Sequence, residues 1–193
     1  MIVTTLLLNN FSVEYGDNVV ASFGIVLRIT QLPEFLTMGL FLGIMPLIAY
    51  NFSSKNINRV KLTLKELTIW IGSISIIFAL AVYIFRVPVI SLFTDDVGVV
   101  KVGLLILTAQ LISSVFNGFT GLFTGIFQAS GEGTSTGIMA TIQGILFIPV
   151  VIILHYLFGL NGLIWSMTIT EGITFLIGAI LMIPYLNKIN KMK

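Results

Sequence analysis

Polar positions are few along this chain and come in clusters, so the apolar stretches between them define its elements. A helix needs about 20 mainly apolar residues to cross the hydrocarbon of a bilayer. Leu67 to Phe85 is a run of 19 residues without a charge, bounded by Glu66 and Arg86, and predicts one crossing. Val102 to Gly131 predicts a second, long enough to tilt or to leave its polar C-terminal end in the interface. Gly133 to Thr170 is too long for one helix. It divides into segments of about 136–157 and 160–185, and the Asn161-Gly162 turn signal places their connection at Phe158 to Gly162. Val19 to Tyr50 predicts a long crossing that carries Arg28 and Glu34 and that Pro33 and Pro46 should bend. Ahead of it, Glu14 to Asn18 is a polar loop with turn chemistry. Residues 1–11 are an apolar piece about half the length of a crossing, without the basic region and cleavage site of a signal peptide. The expected fold is all-α: a polytopic membrane helix bundle with five complete spans plus the end of a sixth. The partial helix lies at 1–11 and the spans at about 19–50, 67–87, 102–128, 136–157 and 160–185.

Composition agrees with that pattern. Of 193 residues, 56% are hydrophobic and 9% charged, with a mean hydropathy of +1.06. A soluble domain carries about a quarter charged residues and could not cover its surface with so few. The absence of cysteine excludes a disulfide framework, a thiolate nucleophile and a Cys-type metal site. A net charge of +2 over ten basic residues is no nucleic-acid footprint, so no nucleic-acid partner is expected. Where those charges fall is informative. Lys55, Arg59, Lys61 and Lys65 crowd one short loop, and Lys188, Lys191 and Lys193 end the chain. The opposite side has Arg86 and Lys101, offset by Asp95, Asp96 and the acidic Glu14 to Asp17 loop. Seven basic residues against two predict a multi-pass protein of the cell membrane with its C-terminus in the cytoplasm.

Catalytic constellations are scarce. His155 is the only histidine, and no His-x-x-x-His, Gly-x-Ser-x-Gly or P-loop pattern occurs, which argues against an enzyme, a metal site or an organic cofactor. Asp95-Asp96 reads as a solvated loop with a helix N-cap, and His155 as an interfacial residue. What remains is polar groups at membrane depth, where a charge at the bilayer centre costs about 2.5–3.5 kcal/mol on insertion scales and so faces water or a partner. Arg28, Glu34 and Glu171 qualify. Arg28 and Glu34 are six residues apart, about 240° around a helix, so they do not share a face. Arg28 either snorkels to the interface or faces a cavity. Glu34, deeper and next to Pro33, is the best candidate for a cavity-lining carboxylate. Glu171, about a third of the way into the last span, serves either a neighbouring helix or transport. Gln110, Asn117, Gly121, Thr124 and Gln128 recur at helical spacing as a polar stripe, which is either interhelical glue or the wall of an aqueous path. Gln143 on the next span could face the same side.

The residues also carry a family resemblance. The run Ala21-Ser22-Phe23-Gly24-Ile25-Val26-Leu27-Arg28 leads to Gly39, Gly43 and Pro46-Leu47-Ile48-Ala49-Tyr50-Asn51, then Lys55-Asn56 and Arg59-Val60-Lys61. This resembles the start of the second half of a MATE-type multidrug efflux transporter. Phe127-Gln128-Ala129-Ser130-Gly131 resembles that family's Gln-Ala-x-Gly-Lys-Gly turn, and Phe158-Gly159-Leu160-Asn161-Gly162 with Trp165 its Phe-Gly-Leu-Asn-Gly-Val-Trp element. Met45, Phe52-Ser53-Ser54 and Glu132 depart from the usual Gln, Tyr-Gly-Ala and Lys. Such transporters resemble two six-helix lobes related by an axis along the membrane normal, and this chain matches only the second. The resemblance implies a C-terminal lobe fragment of a secondary antiporter that exports drugs or toxic organic compounds in exchange for Na⁺ or H⁺, by alternating access between lobes. Implied partners are membrane lipid, the missing N-terminal lobe and a small organic cation; the coupling Na⁺ or H⁺ is the only ion expected, with no cofactor. Family carboxylates bind that ion, and Glu34 lies near where some relatives place an acid. A carboxylate out of water is stabilised by binding a proton or Na⁺ and can thereby exchange ions with substrate. The alternatives are a lipid-linked oligosaccharide flippase, which would want more basic residues in its cavity than Arg28, a non-transporting remnant, and a membrane acyltransferase, for which the catalytic residues are lacking.

Overall fold

The computed structural model describes residues 2–191; Met1 and Lys193, the last of the basic residues noted above, lie outside them. The described chain is entirely helical apart from its connections. Helix α1 (Ile2–Val13) turns at Gly16, whose φ of 96° suits a residue without a Cβ, into α2 (Asp17–Ser53). Then come α3 (Ile57–Ile84), α4 (Arg86–Ser91), α5 (Val97–Ala129), α6 (Gly133–Ile145) and α7 (Phe147–Lys191). Asn56 caps α3, its side chain accepting from the Arg59 amide. Asp96 caps α5, its Oδ1 accepting from the Gly98 and Val99 amides at 2.7 and 3.2 Å.

Proline decides two of the breaks. A proline in a helix cannot donate to the carbonyl four residues back and its ring crowds it. Pro88 and Pro149 are each the third residue of their helix, and the carbonyls they leave free belong to Ile84 and Ile145, the last residues of α3 and α6. The interruption between α6 and α7 at Leu146 divides what the apolar pattern reads as one segment. Pro33 and Pro46, by contrast, interrupt nothing: both lie inside the continuous 37-residue helix α2.

Among the described residues four stretches are long and apolar enough to cross a membrane: Asp17–Ser53, Ile57–Ile84, Val97–Ala129 and Gly133–Lys191. The fourth, 59 residues, is no single rod. Gly159 sits at φ 57°, ψ −132°, a conformation that suits only glycine. Around it the partners pair off at matching distances along the chain. Gly162 packs against the Leu154 carbonyl so closely that a Cβ would overlap it, and Gly178 faces Met139. Further out, Tyr185 bonds Ser130 and Lys188 pairs with Glu132. The arms 133–158 and 160–191 therefore form an antiparallel hairpin. Its bend is Gly159, inside the connection expected at Phe158 to Gly162; Asn161-Gly162 is already helical, and Gly162 serves close packing of the arms.

Helix α5 is the axis of the bundle, packed by α2, α3, α4, α6 and α7. Its two ends belong to two separate cores. One gathers Phe23, Val26, Ile106, Leu107, Val151 and Leu163; the other gathers Ile48, Val60, Leu67, Leu122, Ile126 and Ile189. The outside remains apolar: Leu36, Ile77, Leu80 and Tyr156 are all exposed. That is the surface of a multi-pass membrane protein, facing lipid rather than water.

Candidate functional site

Between the two cores α5 carries polar residues at helical spacing, and there the bundle opens into a cavity of about 500 Å³. Every long helix contributes to it. Helix α2 presents Leu27, Thr30, Gln31, Glu34, Thr37 and Phe41 on one stripe, and α5 presents Gln110, Ser113, Ser114, Asn117 and Gly121 on another. The hairpin adds Gln143 and Phe147 from one arm and Met167, Thr170 and Glu171 from the other, and α1 adds Thr4, Thr5 and Leu8.

Two carboxylates thus face one cavity from different helices, Glu34 from α2 and Glu171 from α7. The Asn117 amide donates to Glu171 Oε1 at 3.2 Å. Glu171 Oε2 and Gln110 Nε2 are buried and have no hydrogen-bond partner among the described residues. One is an acceptor and the other a donor, so the cavity is built for a polar or charged occupant; leaving such groups empty-handed is costly. No Lys, Arg or His lines the cavity among the described residues, so its fixed charge is wholly acidic.

Four of the six residues singled out by sequence therefore meet: Glu34, Gln110, Asn117 and Glu171. Gln143 joins them. Arg28 does not; it lies exposed on another face of α2, as six residues of helical rotation require, and forms no ion pair among the described residues. Gln128 shares the angular face of Gln110 but lies 18 residues on, about 27 Å along the axis. It borders a separate recess with Phe52, Ser53, Lys55, Ser130 and Gly131. The residues that sequence reasoning passed over are Thr30, Gln31, Thr37 and Thr170; the first three lie three or four positions from Glu34, and Thr170 directly precedes Glu171. Extending the helical spacing from Glu34 finds the first three. His155 lies outside the cavity, beside the hairpin bend, between Tyr15 and Glu14.

Residues 1–157 match the family described as MatE. The chain belongs to the MATE family. It is 43% identical over 183 residues to the multidrug export protein MepA of Staphylococcus aureus (strain MRSA252), which covers 95% of this chain and 40% of that protein. To MepA of Staphylococcus haemolyticus it is 42% identical over 174 residues, covering 89% of this chain and 38% of that one. The fold matches the Vibrio cholerae MATE transporter VcmN in its bent form with a TM-score of 0.85 at 17% identity, over 98% of this chain and 44% of that chain. The chain spans about 40% of the length of the curated relatives it matches.

Proposed function

We propose that this MATE chain is the C-terminal lobe of a secondary antiporter that exports organic cations in exchange for Na⁺ or H⁺, working with an N-terminal lobe. The observation that carries this reading is the pair of carboxylates on different helices facing one cavity that holds no basic residue. Two ionised carboxylates in a low-dielectric cavity repel each other, and a cation or proton between them relieves that repulsion. Coupling ion and cationic substrate would compete for the same charge, which is what exchange requires. An anionic cargo such as a lipid-linked oligosaccharide would find no counter-charge there. The names of the MepA relatives support drug export. In this reading the hairpin makes two crossings, for five in all besides α1, and places the Lys55 to Lys65 loop and the C-terminus together on the cytoplasmic side.

The test is dye efflux from cells making the complete transporter that carries this lobe. Glu34→Gln abolishes coupled efflux at unchanged expression, and Glu171→Gln weakens it at least tenfold. Efflux at the starting rate in both variants overturns the assignment. The mass of the protein extracted from its native membrane tests the two-lobe arrangement: a species well above 21.1 kDa, or co-purification with a second lobe, is expected.

A further inference from the structure

The structure brings every basic residue that the loops contribute on one side to a single end of the bundle. The α2–α3 connection abuts the α5–α6 connection across the recess lined by Phe52, Lys55, Gln128 and Ser130. The end of α7 reaches the same place, because Tyr185 bonds Ser130 and Lys188 pairs with Glu132. Lys55, Arg59, Lys61, Lys65, Lys188 and Lys191 therefore share one end with only Glu66 and Glu132 as acids, and Glu132 is already engaged by Lys188 at 2.6 Å. The other end has Arg86 and Lys101 against Glu14, Asp17, Asp95 and Asp96. Lys55, Arg59 and Lys65 are exposed and have no acidic partner among the described residues.

Length explains why these charges stand at headgroup height. Helix α3 has 28 residues, about 42 Å, against a hydrocarbon core of about 30 Å. The charge-free part begins at Leu67, so the surplus is the first ten residues, which carry Arg59, Lys61, Lys65 and Glu66. Beside them Leu47 and Tyr50 on α2 are exposed, offering apolar surface just below the charges. Lys55 stands at the mouth of the recess with φ 58°, in the left-handed region uncommon for a lysine.

We propose that this end is a docking surface for anionic phospholipid, with Lys55 at the recess and Arg59 and Lys65 on different faces of α3 each attracting headgroup phosphates, and acyl chains lying along Leu47 and Tyr50. Charge complementarity chooses the occupant: a net-positive cluster at interface height, over exposed apolar side chains, matches a molecule that is anionic at the interface and apolar below. The inference rests on charge placement alone and stands whether or not the central cavity carries drugs.

The test is native mass spectrometry of the purified chain in neutral detergent with short-chain phosphatidylglycerol, phosphatidylcholine of the same chain length, and inorganic phosphate. Phosphatidylglycerol binds at least tenfold tighter than phosphatidylcholine and weakens as salt rises. Each lysine or arginine near a membrane surface is worth about a fivefold factor, so Lys55→Gln with Arg59→Gln and Lys65→Gln lowers phosphatidylglycerol affinity on the order of a hundredfold. The same positions as Lys55→Arg and Lys65→Arg keep it. If the triple variant loses helicity by circular dichroism, Lys55→Gln alone replaces it, with a fivefold loss expected. Equal affinity for the two lipids overturns the proposal, as does undiminished phosphatidylglycerol binding by the variants. Displacement of the lipid by equimolar inorganic phosphate also overturns it, because the site then takes a free anion.

Discussion

At its closed end the α6–α7 hairpin leans on the turn between α1 and α2, whereas at its open end its second arm is fastened to the end of α5 and the α5–α6 connection. The closed end places His155 between Tyr15, whose hydroxyl is 3.2 Å from Nδ1, and Glu14, whose carboxylate is 3.3 Å from Nε2, with the Phe11 ring 4.6 Å away. Glu14 is mostly exposed, so this contact locates the hairpin against α1 and α2 more than it stabilises it. What holds the bend itself is backbone: Gly159 in its left-handed conformation and Gly162 against the Leu154 carbonyl. The open end is held by side chains. The Ser130 and Tyr185 hydroxyls meet at 2.5 Å, both buried, with the Phe127 ring edge-on to Tyr185. Each hydroxyl is the other's partner, so removing one orphans the other. The two ends should therefore fail in different ways: the bend to a methyl group, the open end to the loss of an oxygen.

The sharpest test of that contrast is Gly162→Ala. Its new Cβ meets backbone, which cannot swing aside, so a loss above about 4 kcal/mol or outright failure to fold is expected in thermal unfolding of the detergent-solubilised chain. An unchanged midpoint would show that the arms are not in backbone contact. Next in size comes Tyr185→Phe, which leaves Ser130 buried without its partner and costs about 1–3 kcal/mol. The double variant with Ser130→Ala should cost less than the two single losses added together, and strict additivity would deny that the hydroxyls act as a pair. Tyr15→Phe removes one partly buried hydrogen bond at the closed end, about 0.5–1.5 kcal/mol. Smallest is Lys188→Gln. Its exposed ion pair with Glu132 is worth roughly 0–1 kcal/mol, and the effect should vanish in 1 M salt.

The central cavity shows how far the sequence could be read. Glu34 and Glu171 stood out because charge is expensive at membrane depth, and that cost is a property of the residue, legible anywhere in the chain. Gln110 and Asn117 were legible as a stripe because helical rotation is regular. The same regularity misplaced Gln128, since rotation tells which way a side chain points and says nothing of its depth relative to other helices. Arg28 illustrates the converse: rotation alone separated it from Glu34, and the fold puts it on an exposed face. The break at Leu146 was readable in principle from Pro149 by counting four residues back. Counting the same way from Pro33 and Pro46 would have broken α2, which runs on, so proline marks where a helix is weak and its surroundings decide whether it ends.

By itself the sequence determined the all-α membrane bundle, the apolar stretches long enough to cross a membrane and the clustering of charge between them, because each follows from the transfer cost of single residues and sums along the chain. Only the tertiary structure decided that Glu34 and Glu171 share a cavity, that Gln128 lies in a separate recess, and that the α2–α3 connection abuts the α5–α6 connection and the end of α7. Those outcomes depend on how helices pack against one another, and packing joins residues that no spacing along the chain relates.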